Sequence, residues 1–463
     1  MLQRLSSEDA RILALETPAV VGHTAKVVIA ERAADDTAAV LRDRLGSRLG
    51  LAPRLRQRLA PTPLGLAPPA WVDDPSFDPA VHVRRFETTG PVDRDRLRAI
   101  VATLMRERLD RARPLWAIDI VEPLEENLVA AVWRIHHCLA DGTGILALGP
   151  VLLWDDASTP PGRATRSTPA PVEPPPGPFA LVAAAASDRV QGLAFAAVRT
   201  ATGLVTPSRW RQTVAELRRA PGTIARELRP TGGSSPLDTE TGRQRLVAFV
   251  GWPLADVQRA AHAIAAGVTV NDVVLAGVAG GLRRWLQLRD RPLERLRVKI
   301  PVSMHETGED ARSVGNRDSF LNIDLPLDEP DPVRRLLAIN AETRDRKDRH
   351  DADELYALFT GVSHVSPRLY RRAYRAASDP HAFALAVSNT RGPAQHRYLA
   401  GGLIREVYSL AEIAPRHALR VSALSFDGRM SCGLCADADA LPDLEILADG
   451  IDGAVRELFA KAA

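Results

Sequence analysis

Apolar and polar positions change period several times along this chain. Leu128-Val129-Ala130-Ala131-Val132-Trp133-Arg134-Ile135 is short, apolar and rich in strand formers, the pattern of a buried strand. Gly144-Ile145-Leu146-Ala147-Leu148 then opens an apolar helical pattern. In the second half, Arg245 to Val250 and Arg297 to Val302 read as strands, and Val273 to Leu288 as a buried helix. Between the halves, Pro160-Pro161-Gly162, Pro169-Ala170-Pro171 and the proline run Pro174 to Pro178 oppose both helix and ladder pairing, which makes Ser158 to Pro178 an extended linker. Helical periodicity returns from Phe179 to Leu228 and stops at Pro230-Thr231-Gly232-Gly233. The pattern therefore predicts an α/β (α+β) chain in three parts: residues 1–157, a linker and helical crossover over 158–238, and residues 239–463. Two such halves joined by a crossover suggest similar domains with a cleft between them, and no short repeat argues for a solenoid.

Chemistry concentrates just after the strand that ends near residue 135. His136-His137-Cys138-Leu139-Ala140-Asp141-Gly142 sets two adjacent histidines ahead of an aspartate-glycine turn. Neighbouring strand side chains point to opposite faces, so one histidine enters a cleft while the other packs inward. His137 is assigned to the cleft and His136 to the packed side as its hydrogen-bonded neighbour, with contact to substrate as the alternative for His136. Gly142 suits the sharp turn. Asp141 reads either as a catalytic carboxylate or, more simply, as the source of an orienting salt bridge or loop hydrogen bond. Asn271 precedes a helix, where it reads as an N-cap. Ser388 and Asn389, between the apolar run Phe383 to Val387 and Gly392-Pro393, are turn residues or polar channel contacts.

Other motifs are excluded. Cys138 adjoins His137, yet consecutive residues of an extended chain point apart, which disfavours a Cys-His nucleophile. Cys432-Gly433-Leu434-Cys435 has the spacing of a redox or zinc half-site but lies in a strand-like run without a second pair, so no metal site is expected. No G-x-x-x-x-G-K-[ST] and no G-x-S-x-G occurs, which disfavours nucleotide-dependent chemistry and serine hydrolysis.

Composition narrows the partners. At 463 residues the chain exceeds one ordinary core, and 45% hydrophobic with 25% charged residues is the balance of a globular protein. A net charge of +3 implies no acidic partner, and no nucleic acid is expected. The N-terminus lacks a signal-peptide pattern and no apolar run is long enough to span a bilayer, so a cytoplasmic protein is expected. Arginines Arg189, Arg199, Arg209, Arg211, Arg218, Arg219, Arg226 and Arg229 crowd the crossover, which leaves peripheral contact with a membrane or lipid droplet open beside the simpler reading of a solvated helix face.

His-His-x-x-x-Asp-Gly resembles the motif of the CoA-dependent acyltransferase superfamily, and further fragments narrow the likeness to the bacterial wax ester synthase/diacylglycerol acyltransferase family. Pro114-Leu115-Trp116, Trp71-Val72-Asp73-Asp74-Pro75, Val270-Asn271-Asp272, Ser313-Val314-Gly315-Asn316, Ser388-Asn389-Thr390-Arg391-Gly392-Pro393 and Ser425-Phe426-Asp427-Gly428 occur in that family's order. Thr390-Arg391 departs from the usual Val-Pro and places a charge beside the expected channel. The resemblance implies two chloramphenicol acetyltransferase-like domains with a channel at their interface. It also implies transfer of a fatty acyl group from acyl-CoA, as co-substrate and with no other cofactor, to a long-chain alcohol or diacylglycerol, with His137 as general base, a structural Asp141 and, beside its N-cap reading, a channel-lining or oxyanion-stabilising Asn271. Two other readings compete: acylation of a secondary-metabolite hydroxyl, and a non-catalytic lipid-binding protein.

Overall fold

The computed structural model describes residues 2–156, 174–187, 190, 221–227, 235–304, 316–365 and 367–462. Most of the proline-rich linker, most of the arginine-rich crossover and Ser313 to Gly315 lie outside the described residues. Within the crossover, 178–187 and 221–227 are helical.

Fifteen strands are present among the described residues: β1 (His23–Glu31), β2 (Gln57–Ala60), β3 (Ala70–Asp73), β4 (Val83–Phe86), β5 (Trp116–Leu124), β6 (Leu128–His136), β7 (Asp155–Asp156), β8 (Arg245–Pro253), β9 (Arg295–Ser303), β10 (Asp318–Pro326), β11 (Leu385–Arg391), β12 (Arg397–Leu399), β13 (Gly402–Ala411), β14 (Leu419–Phe426) and β15 (Arg429–Asp437). They build one sheet in the order β4-β5-β6-β1-β13-β12-β7, a second in the order β10-β9-β11-β14-β15-β8, and a small β2-β3 ribbon. The chain-order division at residues 157 and 239 therefore does not describe the sheets. β12 and β13 belong by sequence to the second half but complete the first sheet, where β13 pairs antiparallel with β1, Thr24 opposite Ala411.

β6 reads as unbroken apolar sequence because both its faces are covered, and alternation appears only when one face meets water. Ala131, Trp133 and Ile135 pack with Trp154, Leu424 and Phe426. Ala130 and Val132 pack with Val101, Leu104 and Met105 from the helix Arg94–Arg106. Arg134, buried in this strand, is matched by Asp119 at 2.8 Å and the Leu104 carbonyl at 2.9 Å. In the second sheet, Ala248, Val421 and Leu434 face the helices Val270–Gln287 and Leu444–Ala462. Those helices meet closely: a Cβ on Gly450 would lie 3.1 Å from the Cα of Gly281.

The sheets join at a narrow seam. Ser431 Oγ donates to the Val407 carbonyl at 2.6 Å, and a Cβ on Gly433 would fall 2.1 Å from the Ser409 carbonyl oxygen. β13 of the first sheet thus lies directly on β15 of the second.

Candidate active site

The two histidines part as strand geometry requires, and each is held differently. His136 is the last residue of β6, opposite His23 on β1, and is buried. Its Nδ1 accepts the Cys138 N–H at 3.1 Å, and its Nε2 meets Glu16 Oε1 at 2.6 Å. Glu16 in turn contacts Arg111 at 2.8 Å and Arg108. His137 extends the ladder by one step, its N–H donating to the Gly22 carbonyl at 3.0 Å. Its own carbonyl accepts from Asn316 Nδ2 at 2.6 Å, and the same amide nitrogen reaches Asp9 Oδ1 at 2.5 Å. The His137 backbone is therefore clamped on both sides, one clamp coming from the far half of the chain.

His137 is half-buried as a residue, and its Nδ1 is buried with no hydrogen-bond partner on another described residue. Burial lowers its pKa to about 4, Arg420 acts in the same direction, and Asp141 opposes both. The His137 imidazole is neutral around pH 7.

Asp141 is the N-cap of the helix Gly142–Leu152, its Oδ1 accepting the Gly144 N–H at 2.8 Å. That bond satisfies one of the helix's orphan donors and shapes the turn after His137. Gly142 faces the second sheet, where a Cβ would lie 3.1 Å from Thr390 Oγ1. Two more carboxyls share this charge environment. Burial raises Glu8 to about 7, with Arg11 opposing and Asp9 and Asp141 reinforcing it. Burial also raises Asp318 well above the usual carboxylate range, with Asp141 and Glu8 adding to the effect.

The remaining sequence-picked residues come from the second sheet and its helix. Asn271 is not the N-cap of Val270–Gln287. Thr269 caps it, in a reciprocal box with Asp272, and this leaves the Asn271 amide to accept from Asn389 Nδ2 at 3.4 Å. Ser388 Oγ donates to Ser422 Oγ at 3.3 Å. These four side chains bond in two separate pairs, and none of their described hydrogen bonds reaches His137.

The cysteines are inert packing groups. All three are free and buried, with burial pushing the Cys138 thiol well up and Cys432 to about 12. Cys432 and Cys435, three apart on β15, point to opposite faces and join different cores.

Three residues around the histidines escaped the sequence reading as site residues: Glu16, Asn316 and Arg420. Asn316 had a signal, since it ends the Ser-Val-Gly-Asn fragment. The other two had none, each standing in a stretch with no motif.

Similarity now places the chain. Residues 5–274 match the wax ester synthase/diacylglycerol acyltransferase catalytic domain, and residues 314–459 match the C-terminal domain of the same family. A Mycobacterium tuberculosis protein named for diacylglycerol O-acyltransferase activity is 30% identical over 486 residues, covering 100% of this chain and 98% of its own length. A second from that organism is 30% identical, covering 90% of this chain and 87% of its own. Among solved structures, the wax ester synthase/diacylglycerol acyltransferase from Marinobacter aquaeolei VT8 superposes with a TM-score of 0.69 at 23% identity, over 99% of each chain. The first condensation domain of the calcium-dependent antibiotic synthetase gives 0.60 at 16% identity, over 100% of this chain and 96% of its own, a likeness of fold. The chain belongs to the wax ester synthase/diacylglycerol acyltransferase family. It is an acyl-CoA-dependent O-acyltransferase of the kind that makes wax esters or triacylglycerol.

Proposed function

We propose that His137 is the general base that moves a fatty acyl group from acyl-CoA to the hydroxyl of a long-chain alcohol or diacylglycerol. The observation that carries this reading is a neutral imidazole whose backbone is clamped by Gly22 and Asn316 beside the capped turn at Asp141. A hydroxyl is a poor nucleophile near neutral pH, and the imidazole takes its proton as the oxygen attacks the thioester carbonyl. The tetrahedral adduct collapses, the C–S bond breaks, and the imidazolium returns the proton to the departing CoA thiolate. One residue serves both halves, so no acyl-enzyme and no cofactor beyond the co-substrate is needed. Asp141 shapes the turn, Gly142 lets it approach Thr390, and Asn271, Ser388 and Asn389 contribute polar groups to the substrate channel. Incubation with mixed acyl-CoAs, long-chain alcohols and diacylglycerols, followed by mass spectrometry of the lipids, tests the reading. Absence of any ester product would defeat it.

Because the His137 pKa is lowered to about 4, the base form is present above that value and lost as pH falls through it. kcat/KM is expected to stay nearly flat from pH 7 down to about 5.5, whereas an unperturbed histidine would halve it near about 6.5. Between those two pKa values the unfolded chain binds a proton that the folded chain refuses, so this group opposes folding increasingly as pH falls. A rate profile with its acid limb near the unperturbed value would show a solvated ring and contradict the geometry.

A water-insoluble acceptor must also leave a lipid phase. No helix among the described residues is long and apolar enough to cross a membrane. The arginine excess of the crossover supports peripheral docking on anionic lipid instead. Co-sedimentation with anionic vesicles should weaken with salt, as the screening length falls from about 10 Å at 0.1 M to about 3 Å at 1 M. The Arg218→Glu, Arg219→Glu protein should pellet less while still acylating a short soluble alcohol. Equal pelleting of both proteins would remove the docking role.

A further inference from the structure

Glu16 stands just beyond the first helix, Ser7–Ala14, and its side chain is only 2% exposed. We propose that Glu16 is a positioning residue for acyl transfer, acting on His137 through the His136 ring. The proposal rests on the reading of His137 as the base.

The tautomer of His136 follows from its two contacts. The Cys138 N–H points at Nδ1, which must accept, so Nε2 carries the ring proton and donates it to Glu16 Oε1 at 2.6 Å. The imidazole is thus pinned at both nitrogens. The two residues it ties together, Glu16 and Cys138, lie on either side of the ladder step that holds His137. The His136 carbonyl also accepts the Leu139 N–H at 2.9 Å, which closes the turn.

Gly22 completes the fit. It has φ +72°, and a Cβ there would lie 2.7 Å from His136 Nε2 and 3.1 Å from Glu16 Cγ. Only glycine lets the chain pass this close while its carbonyl accepts the His137 N–H. Glu16 is anchored from behind by Arg111 and Arg108. Burial alone would raise its carboxyl, but the His136 hydrogen bond and the charges of Arg111 and Arg108 outweigh that and hold it below the ordinary value. The carboxylate is therefore a fixed, ionised strut behind the imidazole.

Two near-isosteric variants of the full chain separate reach from charge. Glu16→Gln keeps the length and an acceptor oxygen for Nε2–H but loses the charge. Glu16→Asp keeps the charge and loses one methylene of reach, which draws the oxygen away from the ring. Misplacement of a reacting group by about 1 Å can cost about 10²-fold in rate. Glu16→Asp is accordingly expected to lower kcat about 10-fold or more with KM for acyl-CoA little changed, and Glu16→Gln to stay within about 3-fold of the parent. The ¹⁵N shifts of His136 should report the Nε2–H tautomer in the parent and in Glu16→Gln. A folded Glu16→Asp enzyme with parental kcat would overturn the proposal, as would Glu16→Gln falling below Glu16→Asp. His137→Ala is assayed alongside them. If it retains parental turnover, the base reading itself is lost. If it is inactive while Glu16→Asp is unimpaired, only the role of Glu16 is lost.

Discussion

Replacing His137 by alanine is expected to lower turnover by about 10²–10⁴-fold, the usual contribution of a general base, while the protein remains folded. The expectation of a retained fold is structural. The bonds that fix residue 137 are main-chain bonds, from its N–H to Gly22 and to its carbonyl from Asn316, and alanine keeps both. The Nδ1 of the ring has no partner on another described residue, so removing the ring breaks no described hydrogen bond there. His136→Ala should behave in the opposite way. It leaves Glu16 Oε1 and the Cys138 N–H without their ring partner, although Arg111 and Arg108 still hold Oε2, and an unsatisfied buried polar group costs about 1–3 kcal/mol. CoA thiol release measured beside thermal melting separates the two substitutions. A His137→Ala protein that releases CoA at the parental rate would remove the base from the mechanism.

What was legible in the sequence was local and strongly patterned. The strand before the histidines was expected over Leu128–Ile135 and runs Leu128–His136, and the buried helix expected over Val273–Leu288 runs Val270–Gln287. The first residues of that helix show where local reading fails. Asn271 and Thr269 are both good caps two residues apart, and only the pairing of Thr269 with Asp272 three residues on decides between them. The placement of β13 was not legible at all. Its residues would suit either sheet, and pairing with β1 across nearly four hundred residues is a tertiary outcome that no local propensity encodes. Glu16 and Arg420 were missed for the same reason, since each acquires its meaning only from groups brought to it by the fold. The histidine motif was readable because turn chemistry, strand pattern and reactive side chains coincide within seven residues.

Gly433→Val is expected to cost about 3 kcal/mol of stability, the upper part of the usual range for overpacking, and to lower activity with it. A Cβ at 433 would sit 2.1 Å from the Ser409 oxygen and 2.9 Å from Leu410 Cδ2, and the first of these is backbone that cannot rotate away. β13 cannot yield cheaply either, because it is paired with β1 on one side and β12 on the other, and Ser431 Oγ ties it to β15. The strain must then open the seam between the sheets. His137 and Gly142 follow β6 of the first sheet, whereas Thr390, which lies against Gly142, stands on the second, so a shift at the seam displaces the turn after His137 from its neighbour across the sheets. Gly453→Ala is the matched control. It lies in the helix Leu444–Ala462, an added Cβ there meets nothing within 4 Å, and removing a helical glycine should be neutral or stabilise by about 0.5–1 kcal/mol. Urea unfolding and CoA release on the two variants test the argument together. Parental stability in Gly433→Val would show that the sheets can part at little cost, and that the spacing of the site is set elsewhere.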